Sequence, residues 1–331
     1  FKVVDERTYE IRPGAPTDTH VWLHDMALES ADAKPIDAHG LQNALESCFL
    51  VVMTGGAEND GYNALVLKAA LGWRDIALVR SISRYLRQVR LPFSQDYMWN
   101  TLRAHPDCAA KLVDLFHARF DPRETESTRA EREDAIAAEI EEALKGVPSL
   151  DEDRILPHFV NAVQSAIRTN FYQLGKDGQP KQQIAIKYES RKLITLPAPR
   201  PLYEIFVYSP RVEGVHLRFG KVARGGIRWS DRPQDFRTEV LGLVKAQQVK
   251  NAVIVPVGAK GGFVPKWLPV GGTREAIAAE GIAAYKLFID SLLDLTDNLI
   301  GDKVVPLEQV VRHDSDDPYL VVAADKGTAT F

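Results

Sequence analysis

A chain of 331 residues is long enough for two or three domains, on a prior of roughly 100–200 residues each. Its 45% hydrophobic and 26% charged residues are those of an ordinary soluble globular protein. With a net charge of −4 there is no global field pointing to nucleic acid or to an anionic membrane, and no apolar run reaches the roughly 18–20 residues of a membrane span.

Residues 1–35 have a β flavour. Phe1-Lys2-Val3-Val4 and Thr8-Tyr9-Glu10-Ile11 alternate, Arg12-Pro13-Gly14 turns, and His20-Val21-Trp22-Leu23-His24 resumes. The segment is too short for a domain and is expected to be the C-terminal β piece of one lying upstream. Starting without Met inside a strand-like run, and stopping at Phe331 just after another, the chain is expected to be a piece of a longer polypeptide.

From 36 to 178 the period becomes helical. Residues 39–53, 61–71, 74–91, 94–104 and 108–119 place apolar side chains at three- and four-residue spacing between Gly, Pro and Asp punctuation. Ser94, after Pro92, is a fitting N-cap. Residues 121–145, rich in Glu, Arg and Ala, predict a solvated or bundle-edge helix. A further amphipathic helix is predicted over 152–172, where Ile155, Phe159, Val163 and Ile167 lie four apart. Cys48 and Cys108 sit in these apolar helical surroundings with no Cys-x-x-Cys and no His at ligand spacing. That argues against a structural disulfide or zinc site and for a reducing, cytoplasmic compartment.

Strands reappear over 179–331. Ile184 to Lys187, Tyr203 to Tyr208 and Val215 to Phe219 read as strands between Pro and Gly boundaries. A helix over 233–250 follows, capped by Asp231, then a strand at 252–257, a helix over 273–295, and strands at 303–305 and 319–323. The alternation predicts an α/β fold, a mostly parallel sheet flanked by helices, preceded by the all-helical region. In such sheets ligands bind beyond the carboxyl ends of strands.

Chemistry concentrates between Arg224 and Lys260. Two glycine turns, Arg224-Gly225-Gly226 and Gly258-Ala259-Lys260-Gly261-Gly262, together with a strand end, bring Arg224, Lys250 and Lys260 toward one place. Such a cluster suits a small dicarboxylate. Lys250 falls within about 40° of the helix face that carries Phe236, Val240, Leu243 and Gln247, at 100° per residue. There it either meets an anion in a wet cleft or snorkels out of a frayed helix end. Lys260 is either a lysine whose charged form is disfavoured by neighbouring cations, and so a general base, or an ordinary lysine on a glycine-rich surface turn. Asp325, after Tyr319-Leu320-Val321-Val322-Ala323, is either a proton carrier at the same sheet edge as Lys260 or a plain turn former. Arg228 either supports the Gly225-Gly226 turn or the electrostatics of the site, or makes a structural ion pair, the reading favoured here, and the eight histidines, without partners at ligand or dyad spacing, read as structural or surface residues.

Four elements in order carry a resemblance: Arg224-Gly225-Gly226-Ile227-Arg228, Val249-Lys250-Asn251-Ala252, Pro256 through Gly262, and Ala324-Asp325-Lys326-Gly327-Thr328. Over 200–331 the chain resembles the substrate domain of glutamate dehydrogenases, and more closely that of the very large bacterial NAD-specific enzymes. In these, ACT-like and helical modules precede the catalytic part. The resemblance implies an ACT-like origin for residues 1–35, a helical region over 36–178, and a substrate-binding catalytic domain over 179–331. It also implies that Lys260 activates the water that attacks an iminium, that Lys250 binds the substrate α-carboxylate, and that Asp325 exchanges a proton with the substrate nitrogen. Gly225 and Gly226 would let substrate approach the backbone. Arg224 stands where the small enzymes have a lysine for the side-chain carboxylate. It keeps the charge and adds a planar fork, whereas leucine and phenylalanine dehydrogenases are apolar there. The Lys250 to Lys260 spacing is shorter than in the small enzymes.

The implied reaction is oxidation of L-glutamate to 2-oxoglutarate and ammonia with NAD, in a homo-oligomer, a tetramer by resemblance. No Gly-x-Gly-x-x-Gly/Ala turn occurs in the sequence, so NAD is expected on a domain outside this chain, and the chain alone is expected to be inactive. A regulatory or assembly module, or an amino-acid dehydrogenase of different specificity, are the competing expectations.

Overall fold

The computed structural model describes residues 2–11, 20–30, 37–194, 196–249, 257–325 and 327–331. The chain divides near Asn43 into two compact units. In the first, β1 (Lys2–Ile11) and β2 (Val21–Glu29) pair antiparallel from Lys2↔Glu29 to Ile11↔Val21. Every residue of this two-stranded ribbon is exposed.

The helical stretch follows the predicted order. α1 (Ala38–Met53), α2 (Leu65–Ala69), α3 (Trp73–Gln88), α4 (Gln95–Ala104), α5 (Pro106–Phe120), α6 (Glu126–Leu144) and α7 (Leu150–Ser165) are separated by short turns. Side-chain oxygens satisfy the first-turn amides: Ser94 accepts from the Tyr97 N–H at 3.1 Å and Thr125 from Thr128 at 3.2 Å. α6 buries only Ile140, as its charged composition predicts. α7 stops at Ser165, well short of the predicted residue 172, because Ala166–Thr169 forms strand β3. Ile167 keeps helical spacing to Val163, and that apolar interval concealed the change of period.

β4 (Ile184–Glu189), β5 (Tyr203–Tyr208), β6 (Val212–Arg218), β7 (Arg224–Trp229) and β8 (Gly258–Pro265) complete a six-stranded sheet of order β3-β4-β5-β6-β8-β7. α8 (Phe236–Val249) joins β7 to β8, and α9 (Arg274–Leu293) follows β8. β9 (Asn298–Ile300) and β10 (Lys303–Val305) form a separate hairpin, where the predicted strand at 303–305 is found.

The expectation of a mostly parallel sheet is wrong. Neighbours from β3 through β6 to β8 are antiparallel, and only β7 and β8 run parallel. The physical reason is link length. Ser209–Arg211 spans β5 to β6 in three residues, enough for a hairpin and far too few for a parallel crossover, whereas α8 supplies a crossover between β7 and β8. Burial on both sheet faces gave these antiparallel strands the continuous apolar look that parallel strands usually have.

One face packs Ile186, Tyr188, Phe206, Tyr208, Val215 and Leu217 against the helical stretch and against Phe236 and Val240 of α8. The other packs Ala185, Ile205, Val207, Ile227 and Phe263 against Ala284, Phe288 and Leu292 of α9. Tyr85 of α3 stacks on Tyr188 with ring centroids 4.4 Å apart and donates to Glu204 at 2.9 Å. Arg237 of α8 donates to the same carboxylate. The composition change near residue 178 therefore falls between β3 and β4, neighbours in a sheet that shares one core with the helices.

Two local expectations also move. α8 begins at Phe236, so Asp231 precedes the helix without capping it, and Val244 rather than Leu243 joins Phe236 and Val240 in the core, with Lys245 exposed. The predicted strand at 252–257 falls almost wholly outside the described residues; the strand that is described starts at Gly258 and contains Lys260.

Candidate functional site

β7 was read from sequence as a glycine turn and is a strand. Gly225 and Gly226 pair with Ala259 and Lys260 in parallel register, and neither has a positive φ. Their need for glycine is steric. A Cβ at Gly225 would overlap the Ala259 carbonyl oxygen, and one at Gly226 would lie 2.8 Å from the Ala323 carbonyl oxygen. Gly262 is similar, since its Cβ would stand 2.6 Å from Val240 Cγ2 of α8.

The register sets which side chains share a face. Lys260 pairs with Gly226 on β7 and with Leu217 on β6. Alternation then puts Arg224, Arg228 and Lys260 on the same face as Leu217, the one covered by α8. Arg228 meets Glu239 of α8 through Nε at 2.8 Å, the ion pair expected of it, and Ser230 donates to the other oxygen of Glu239 at 2.6 Å. Both Arg224 and Lys260 lie near the amino ends of the parallel pair, not beyond its carboxyl ends.

Lys260 is 4% exposed. Its Nζ forms an ion pair with Asp325, so these two predicted residues meet. Burial, and the Arg228 guanidinium behind it, hold the Lys260 ammonium below its ordinary value. Arg224 opens β7 at the solvent side, opposite Gly258 in the register. Lys250 lies outside the described residues.

Asp325 is delivered by a segment predicted as a strand, 319–323, that pairs with side chains instead. Carbonyls of alternate residues point to the sheet: Arg218 donates to Tyr319 O at 2.6 Å, His216 Nε2 to Val321 O at 3.0 Å, and the Ile227 N–H to Ala323 O at 2.9 Å. Among the described residues, a single parallel bridge, Ile227↔Ala324, is its ladder contact. Thr328 closes the turn, accepting from the Asp325 N–H at 2.9 Å and donating to Ile227 O at 2.9 Å. Upstream, Arg168, Lys187 and Arg218 hold Asp297, Asp314 and Asp317 in a buried ion cluster. His216 and Arg218 thus support the site from a distance. Only their period-two spacing on a strand hinted that they share a face.

His216 is fully enclosed, and burial pushes its imidazole down to about 4. His313 donates to or accepts from nothing catalytic; its Nε2 meets Arg119 O at 3.0 Å. Among the described residues no group of three His, Cys, Asp or Glu is placed to hold a metal, and no helix is long and apolar enough to cross a membrane.

Chemically, a buried lysine with a lowered proton affinity, touching a carboxylate and flanked by two arginines, can pass a proton to and from a reacting atom beside an anion. Fold and site together define an α/β domain built around a lysine–aspartate pair. Known proteins agree with that class. The family described as bacterial NAD-glutamate dehydrogenase, catalytic domain, matches residues 139–331, and glutamate dehydrogenase helical motif 3 matches residues 57–122. The NAD-specific glutamate dehydrogenase of Pseudomonas aeruginosa is 53% identical over 100% of this chain and 20% of its own length. That of Mycobacterium tuberculosis is 46% identical over 99% and 21%, and that of Neurospora crassa 27% identical over 71% and 23%. The chain belongs to the bacterial NAD-glutamate dehydrogenase family, and it spans about a fifth of the length of the curated relatives it matches.

Proposed function

We propose that the protein containing this chain oxidises L-glutamate to 2-oxoglutarate and ammonia with NAD, and that this chain supplies the substrate side of the cleft. The Lys260–Asp325 contact carries the reading. The chemistry that NAD would supply when bound is acceptance of the hydride from the substrate Cα. The residues of this chain fit a dicarboxylate rather than a dinucleotide, being cations beside bare backbone with no dinucleotide-binding glycine turn, so NAD is assigned mainly to a domain outside it.

Lys260, in its neutral form, accepts a proton from the water that adds to the iminium carbon. Asp325 returns a proton to the nitrogen, which leaves as ammonia when the C–N bond breaks. Arg224 holds the side-chain carboxylate through its guanidinium fork and Lys250 the α-carboxylate, while Gly225 and Gly226 serve the substrate site by letting the backbones that carry Lys260 and Asp325 approach β7 closely. The relatives' names support NAD as the cofactor, and a cytoplasmic homo-oligomer with an ACT-like module upstream is part of the same proposal.

Replacing Lys260 by Ala in the full-length protein is expected to lower glutamate turnover by roughly 10²–10⁴-fold, the usual worth of a positioned acid–base group. Binding of 2-oxoglutarate should be largely retained. Steady-state kinetics and calorimetry check this, and near-normal turnover would overturn the assignment.

A further inference from the structure

A cavity of about 140 Å³ lies between α3, the start of α8 and the end of β8, lined by Arg84, Arg87, Gln88, Gln234 and Lys266 among others. It opens at the carboxyl end of the parallel pair, six residues along β8 from Lys260, which is about 20 Å at ~3.3 Å per residue. It is separate from the site described above.

Three cations line it against one carboxylate, Glu213. Lys266 is engaged, donating to Glu213 and to Ser209 O at 2.9 Å each and pairing with Glu58. Arg84 spends Nη2 on Glu58 at 2.9 Å, but its Nε is buried with no hydrogen-bond partner and stays 3.9 Å from Glu213. Arg87 donates to the Gln234 side-chain oxygen and meets no carboxylate among the described residues. The start of α8, a 14-residue helix, forms part of the wall, where Gln88 accepts from the Arg237 N–H at 3.2 Å. Its first-turn amides add to the positive potential.

We propose that this cavity binds a small oxyanion, phosphate or carboxylate, between Arg84 and Arg87. An oxyanion would take the unused Arg84 Nε–H and neutralise Arg87, two charge-assisted contacts suited to guanidinium geometry. The volume equals several water molecules at about 30 Å³ each, which suits a phosphate or short carboxylate group. On Arg87 the oxyanion would take the place of the Gln234 side-chain oxygen.

The test is calorimetric titration of the full-length protein with inorganic phosphate and, separately, acetate, with ionic strength balanced by chloride. Saturable binding of either is expected, and the preferred ion tells phosphate from carboxylate chemistry. Arg87→Leu and the milder Arg87→Gln should each weaken it roughly tenfold or more, the loss of one charge-assisted contact, while Lys260→Ala leaves it unchanged. Absence of saturable binding for both ions, binding that survives both Arg87 variants, or its loss in Lys260→Ala would each overturn the proposal.

Discussion

Arg228 has two tasks that pull in opposite directions. It anchors α8 to β7 through Glu239, and its charge makes a proton on Lys260 less welcome. Glutamate oxidation as proposed needs Lys260 neutral, so the acidic limb of the rate profile should follow the Lys260 titration. Removing the neighbouring cation lets Lys260 hold its proton to higher pH. Arg228→Gln is therefore expected to move the acidic limb of kcat/KM upward by a fraction of a pH unit or more, whereas Arg228→Lys, which keeps a charge, should leave it nearly in place. A full pH–rate profile of both variants checks this. A purely structural Arg228 would lower the rate without moving the limb.

At the scale of elements, glycine is where the sequence was most legible and most misread. The Arg-Gly-Gly and Lys-Gly-Gly stretches read as turns open to a ligand, whereas the backbone that comes close to Gly225 and Gly226 is the protein's own, at Ala259 and Ala323; turn and strand make the same demand for a missing Cβ. β7 has no apolar alternation beyond Ile227 and Trp229, so period gave no strand signal. The segment at 319–323 failed in the opposite sense: its apolar run looks like a strand, and its carbonyls are taken by Arg218 and His216, side chains that no local pattern assigns. Long periodic helices such as α3 and α5 were legible because their period and caps are written locally. The direction of the sheet was not, because pairing is decided by links and partners far apart in sequence. Two substitutions separate the meanings of glycine. Gly225→Ala drives a methyl into the Ala259 carbonyl and should destabilise the protein by at least about 2 kcal/mol. Gly242→Ala, within α8 and with nothing within 4 Å of the added Cβ, should stabilise it by up to about 1 kcal/mol. Denaturant midpoints of the two variants should move in opposite directions.

For the molecule as a whole, the segment from Asp297 to Thr328 is tied to its surroundings by buried charge and by two imidazoles held neutral by burial, His216 on β6 and His313 within the segment itself. His216 has its ordinary affinity near 6.5 when the chain is unfolded and one lowered to about 4 when folded. As pH falls from 6.5 toward 4, the unfolded chain binds the proton and the folded one does not, so stability present above 6.5 is lost and the loss is complete below 4. At about 1.36 kcal/mol per pKa unit this amounts to roughly 3 kcal/mol. Asp297 and Asp317, held below the ordinary carboxylate range, add losses of the same sign only at lower pH, below about 3.8. His216→Gln keeps a donor for Val321 O but cannot titrate. Unfolding measured by denaturant between pH 7 and 4 should therefore show a steeper slope in the wild type than in the variant, the slope left in the variant coming largely from His313, which burial also holds down to about 4. Equal slopes in the two proteins would show that the imidazole is not what holds the segment in place.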